Sequence, residues 1–202
     1  MTAVLRFAGR PVPRPLRELP CVEIPADGAA ADAIDEAVAD ATRVVVLGCD
    51  ADLAAVLSRL LCTERLDVEV AHVRRPWAAR RAISGAAQRV PLIRDETGQV
   101  LVGAAVWLPP AAGPTIAGEA IVDDTVLFDG QFPGVRVEPT RALPGLRASV
   151  LDARMRPRGW VTGRAAQLGT TGARVVRDGV PAPREVRRST FYRHVQGWLR
   201  VS

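Results

Sequence analysis

Hydrophobic positions along the chain change their period near residue 90. Before it, apolar residues recur at helical spacing or run without a break; after it, short β-type runs alternate with turns. Ala30, Ala33, Ile34, Ala37, Val38 and Ala41 lie three and four apart, which predicts a helix over residues 29–41, capped by Asp27 or Gly28. Arg43 to Leu47 is a β-branched run with no polar alternation, the pattern of a strand covered on both faces. Leu53, Val56, Leu57, Leu60 and Leu61 then form one stripe over residues 51–62, a second helix. A further strand follows over residues 67–73, and a third helix over residues 77–88, opened by Pro76. Val22-Glu23-Ile24 reads as a short edge strand. This order of strands and helices requires a parallel sheet with right-handed crossovers. Residues 1–20, rich in proline and arginine, read as an extended lead-in.

The remainder is β throughout. Residues 90–108 form a hairpin around Asp95-Glu96-Thr97-Gly98. Short runs then recur at residues 119–122, 125–128, 135–138, 146–151, 159–165, 173–177, 186–192 and 198–201. Asp129-Gly130, Pro133-Gly134, Pro144-Gly145 and Asp178-Gly179 supply turns between them. Strands at this spacing predict an antiparallel sandwich. The expected division is therefore a lead-in (1–20), a small α/β domain (21–90) and an antiparallel β-sandwich (91–202).

Composition narrows the chemistry. All 27 basic residues are arginine and lysine is absent, which excludes P-loop ATPases, Schiff-base enzymes and Ser-Lys hydrolases. The net charge is +5, yet 22 acids are interspersed among the arginines, so a solvated basic surface is expected rather than a nucleic-acid interface. Few aromatic residues are available as stacking platforms for single strands. No window approaches the roughly 20 apolar residues of a membrane-spanning helix, and the arginines at positions 6, 10, 14 and 17 leave no room for a secretory h-region. Cytoplasmic residence is the expectation, with Cys21, Cys49 and Cys62 as reduced thiols and Cys62 on the apolar side of its helix.

Catalytic motifs are scarce. There is no His-Glu-x-x-His and no Gly-x-Ser-x-Gly, and no metal-ligand spacing among the cysteines; His72 and His194 are the two histidines. No metal site is expected. Cys49 follows a strand near a helix N-terminus, a place that favours a thiol nucleophile, but Asp50 and Asp52 oppose it. Asp123-Asp124 reads as a turn. In the C-terminal segment, Arg184, Arg187, Arg188, Arg193 and Arg200 surround Phe191, Tyr192 and Trp198. The aromatics are expected to close the sandwich core with the arginines on its outer face, a surface that could also meet an anionic ligand or lipid headgroup.

Three stretches resemble the diacylglycerol kinase, sphingosine kinase and NAD kinase superfamily, which also joins an α/β half to an all-β half. Val44-Val-Val-Leu-Gly48-Cys49-Asp50-Ala51-Asp52 is similar to its nucleotide loop, a strand ending in Gly-Gly-Asp-Gly-Thr. Arg74-Arg75-Pro76-Trp77-Ala78 occupies the place of a second, Gly-Thr-containing loop. Ala173 to Val180 resembles a strand closed by Asp-Gly-Glu. The resemblance covers most of the chain in shortened form. It implies a nucleotide site at Gly48, Asp50, Asp52, Arg74 and Arg75, with Asp50 as the surviving candidate for catalysis, and ATP with Mg2+ as cofactors.

The departures from that pattern carry equal weight. Cys49 and Ala51 replace glycines that let backbone N–H groups reach phosphate. Asp52 replaces threonine and adds a carboxylate where a phosphate would sit. Asp50 or Asp52 would cap the following helix, and Arg74 or Arg75 would pair with them. Val180 stands in place of the acid, and Asp178 reads as an ordinary turn residue. The leading expectation is thus a degenerate, non-catalytic binding or interaction protein without cofactor, a pseudoenzyme that could dimerise through sandwich edges. The alternative is an ATP-dependent kinase of a lipid or another small hydroxyl compound.

Overall fold

The computed structural model describes residues 1–202, which form two compact units: residues 1–90 with 196–202, and residues 91–195. In the first unit, strands β1 (Thr2–Phe7), β2 (Cys21–Ile24), β3 (Arg43–Leu47), β4 (Glu69–His72) and β5 (Ala87–Val90) combine with the last strand, β17 (Trp198–Val201). Their order is β2-β1-β3-β4-β17-β5. All neighbours are parallel except β17 and β5. Helices α1 (Ala30–Val38), α2 (Asp50–Cys62) and α3 (Ala79–Ser84) connect them. Val44, Val45 and Val46 are fully buried, as a strand covered on both faces must be.

Five expectations for this unit need correction. Thr2–Phe7 is not part of a lead-in but an interior strand between β2 and β3, with Val4 and Leu5 fully buried; the prolines that masked it begin only at Pro11. The third helix stops at Gly85, and Ala87–Val90 turns back as a strand against Trp198–Val201. Those last residues therefore complete the first unit, not the β half, and Trp198 is buried there. Cys62 is exposed: it lies two residues past buried Leu60, about 200° around the helix and off the apolar stripe. Asp27 does not cap α1; its Oδ1 accepts the Ala29 N–H (3.0 Å) and closes the turn before it.

Arginine forks close two of the helix C-termini in this unit. Arg43 pairs with Glu69 and donates to the Ala82 and Gly85 carbonyls (3.3 and 3.0 Å) at the end of α3. Arg65 donates to Ala39 and Ala41 (2.6 and 3.0 Å) beyond α1. Both satisfy carbonyls that a helix end leaves without intrahelical partners.

The second unit is an eleven-stranded antiparallel sheet. Its strands are β6 (Ile93–Asp95), β7 (Val100–Leu101), β8 (Ala105–Leu108), β9 (Ile116–Val122), β10 (Thr125–Phe132), β11 (Val135–Pro139), β12 (Leu146–Val150), β13 (Val161–Gly163), β14 (Ala165–Arg177), β15 (Val180–Pro181) and β16 (Val186–Arg193). The 13-residue β14 joins the two parts of the sheet. Its first half pairs with β9 and β16, its register shifts between Gly169 and Ala173, and its second half pairs with β8. The sheet folds over one core that includes Trp107, Val137, Leu168 and Phe191. Trp107 stacks on Phe191 (5.9 Å between centroids), and its indole N–H donates to buried Ser189 Oγ (3.0 Å). Asp129-Gly130, expected as a turn, lies inside β10; the chain reverses at Asp123-Asp124 instead.

Asp95 is fully buried in this unit. Its Oδ1 accepts the Thr97 and Gln99 N–H groups (2.8 and 3.0 Å), and its Oδ2 lies 2.7 Å from Arg177 Nε, the guanidinium resting over the Phe191 ring. Removing one partner of a buried pair strands the other charge, at a cost of about 3–5 kcal/mol. Asp95→Ala should lower the unfolding free energy of the β unit by that amount, measured by urea denaturation with Trp107 fluorescence as the probe.

Candidate functional site

The site lies where β3 and β4 end and α2 begins, and it is built wholly from the first unit. In a parallel sheet this edge gathers the strand C-termini and the helix N-termini, so side chains there meet a partial positive charge. The chain leaves β3 at buried Gly48 and enters α2 through Cys49, whose extended backbone (φ −89°, ψ −175°) places it at the N-cap. Neither Asp50 nor Asp52 is that cap, contrary to expectation. Asp50 is the first helical residue. Asp52, at the third helical position, reaches back so that Oδ2 accepts the Cys49 N–H (2.7 Å), the carboxylate half of a capping box.

This contact dictates the glycine. A Cβ on Gly48 would lie 2.5 Å from Asp52 Oδ2 and 2.6 Å from Asp52 Cβ, inside any tolerable separation. Gly48 is therefore accounted for by the close approach of the chain's own carboxylate.

Asp50 has two neighbours on the β4 side. Arg74 Nη1 lies 3.4 Å from its Oδ2, and His72 Nδ1 lies 3.8 Å from its Oδ1. Arg74 is the arginine that meets an aspartate; Arg75 turns away and stacks over Trp77 (4.9 Å). Of the five residues expected at the site, Gly48, Asp50, Asp52 and Arg74 come together, and Arg75 does not. The Arg74 side chain is 63% exposed, so the pair adds little to stability.

His72 is the residue that sequence reasoning passed over. It ends β4 beside Val46 of β3, and its Nε2 lies 3.1 Å from the Gly48 carbonyl oxygen. A carbonyl only accepts, so Nε2 carries the hydrogen and the neutral ring leaves Nδ1 unprotonated toward Asp50. Burial is the largest influence and pushes the His72 pKa below its ordinary value; the Gly48 carbonyl and Asp50 pull upward, and Arg74 and Arg200 push down again. A histidine at a strand end next to a strand–glycine–aspartate joint was the available signal.

The other expected positions resolve separately, in the second unit. Asp178 is more than a turn residue: its carboxylate accepts the Val102, Gly103 and Ala104 N–H groups (3.0, 2.7 and 3.0 Å) and organises that loop. Asp123 similarly accepts the Arg164 and Ala165 N–H groups. Val180 is exposed. Phe191 closes the β core as expected, but Trp198 and Arg200 belong to the first unit, so the C-terminal arginines and aromatics do not share one unit. No group of three His, Cys, Asp or Glu side chains converges anywhere in a way that could hold a metal ion.

Two measurements probe this arrangement. Gly48→Ala should destabilise the wild-type background by far more than the Asp52→Gly background, because the obstructing side chain is then gone; a double-mutant cycle by chemical denaturation reads the coupling. The His72 shift has a defined sign. With its folded pKa depressed, the unfolded chain binds more protons as the pH falls below about 6.5, so the His72 contribution is complete above that pH and is lost below it. His72→Gln should therefore flatten the fall in Tm between about pH 7 and about pH 5 relative to the wild type.

No protein-family model matches the chain, and no curated protein is similar to it in sequence. Solved structures are similar in shape. A diacylglycerol kinase from Bacillus anthracis str. Sterne superposes with a TM-score of 0.71 at 13% identity, covering 99% of this chain and 96% of its own. An NAD kinase from Archaeoglobus fulgidus, solved in complex with ATP, gives 0.65 at 12% identity, covering 100% of this chain and 94% of its own. A small, mostly parallel sheet with helices, followed by a large antiparallel sheet, is the architecture these proteins share with the chain, which thus has the diacylglycerol kinase and NAD kinase fold.

Proposed function

We propose that the chain is a non-catalytic binding or interaction protein on a diacylglycerol kinase-like scaffold. One observation carries this reading: the Asp52 carboxylate already accepts the Cys49 N–H at the mouth of α2 (2.7 Å). A nucleotide phosphate needs such N–H groups and the positive end of the helix. Here both face an anion fixed three residues away in the same chain. A phosphate brought to about 4 Å from that carboxylate would meet a repulsion of about 4 kcal/mol at surface-like dielectric. A site without ATP and Mg2+ is the reading this favours, since one of the N–H donors a phosphate would use is already taken by the Asp52 carboxylate. Asp178, the acid left at the third resembling stretch, is engaged by three backbone N–H groups, and its neighbour Val180 cannot take a proton.

A kinase acting on a lipid or another small hydroxyl compound is the second reading, favoured by the pairing of Asp50 with the largely exposed Arg74. That arginine could turn to a phosphate with little cost. Titration with Mg-ATP under thermal-shift readout separates the two. The expected outcome is no saturable change in Tm at millimolar nucleotide; saturable stabilisation that Asp50→Ala abolishes would overturn the first reading, and no shift leaves the second without support.

A further inference from the structure

The arginines of the first unit are unevenly used. Arg43 and Arg65 hold helix C-termini, and Arg59 pairs with Asp35. From Val70 to Val90, in contrast, the chain carries five arginines and no acid. Four of them bracket one short element, Arg74-Arg75-Pro76-Trp77-Ala78-Ala79-Arg80-Arg81-Ala82-Ile83, which makes one 3-10 turn (Pro76–Ala78) and then α3.

The element has two faces. Ala79 and Ala82 are buried against Leu16 and Val73 in the core of the unit. Trp77 is 72% exposed, the most exposed aromatic side chain in the protein, and Ile83 is also exposed. Arg80 and Arg81 follow Trp77 by three and four residues, the spacing that puts side chains on one face. Both are exposed, and no acidic side chain pairs with either. Arg75 lies over the indole ring, 4.9 Å from its centroid, covering one face of it.

Beyond the Arg75 contact on one ring face, this tryptophan gains little burial from its own fold and leaves a large apolar surface in water. Its indole combines a large apolar ring with one N–H donor, a pairing suited to a surface that is apolar beneath and wet above. Guanidinium groups around it suit the phosphates of such a surface. The charge is complementary to anionic headgroups, and the 3-10 turn and α3 are too short to enter further than the interface. A single-stranded nucleic acid would need a free stacking face and successive platforms, whereas this indole is half covered and stands alone.

We infer that the Arg74–Ile83 element is a membrane-surface contact that docks the chain on anionic phospholipid bilayers, with Trp77 and Ile83 in the headgroup layer and Arg75, Arg80 and Arg81 on lipid phosphates. The inference holds whether or not the α2 loop takes nucleotide, and its test is independent of the Mg-ATP titration.

Full-length protein is to be sedimented with phosphatidylcholine vesicles, with and without phosphatidylserine, while tryptophan emission is recorded. Binding is expected only to the anionic vesicles, with a blue shift that Trp77→Ala removes, and with affinity that falls as salt rises. Arg80→Gln/Arg81→Gln should weaken partitioning by about fivefold for each charge removed. Arg154→Gln/Arg156→Gln, the same charge change on an exposed loop of the other unit, should leave it nearly intact. Circular dichroism confirms that each variant is folded, as substitution of exposed side chains predicts. Equal losses from the two double variants, no binding to anionic vesicles, an unshifted Trp77 spectrum, or tighter binding to a single-stranded oligonucleotide than to vesicles would each overturn the inference.

Discussion

The bond from the Cys49 N–H to the Asp52 carboxylate governs the functional edge of the α/β unit. It fixes the direction in which α2 leaves β3, because the cap must stay extended while the next residue turns helical. It makes glycine obligatory at position 48. It also sets the electrostatics, because it places a carboxylate at the helix N-terminus, where an external anion would otherwise be attracted. A capping interaction contributes about 0.5–2 kcal/mol, whereas an incoming phosphate must displace the carboxylate or tolerate its repulsion of about 4 kcal/mol.

Arginine composition has the same inward logic. Lysine presents a point charge on a flexible stem, and arginine a planar fork with five donors. Arg43 uses that fork on Glu69 and three helix-end carbonyls at once, and Arg65 uses it on the residues after α1. Arg177 carries its charge inward to Asp95 beside Phe191. On the β surface, Arg136 and Arg147 share Glu138, and Arg147 also covers Trp160 (4.2 Å). A strongly basic composition therefore says little about a polyanion partner until the internally engaged arginines are set aside.

The strand–helix joint at residues 43–62 was legible because both signals there are local: an unbroken β-branched run, then an apolar stripe at 3.6 spacing. The change to short β runs near residue 90 was legible for the same reason. What was hidden depends on distant partners. β5 is four residues whose alternation means nothing until Trp198–Val201 returns beside it. β1 is buried by neighbours on both sides, but its sequence runs straight into a proline-rich segment. At the site, the sequence placed Asp50, Asp52 and Arg74 correctly in the neighbourhood. It could not tell which acid would fold back on Cys49, because that depends on the extended N-cap backbone. Asp178 and His72 were underrated on the same ground: their partners, the loop at residues 102–104 and the Gly48 carbonyl, are remote along the chain.

Arg74 and Arg75 show how one loop serves two ends. Arg75 has an extended backbone (φ −138°, ψ 142°), and in extended chain successive side chains point to opposite sides. Arg74 accordingly meets Asp50 at the strand edge, while Arg75 lies against the Trp77 ring. The loop that resembles a nucleotide-binding segment has thereby divided its two charges between an internal acid and an exposed indole. The two contacts are therefore independent: the first ties the loop to α2, and the second orients the indole on the surface.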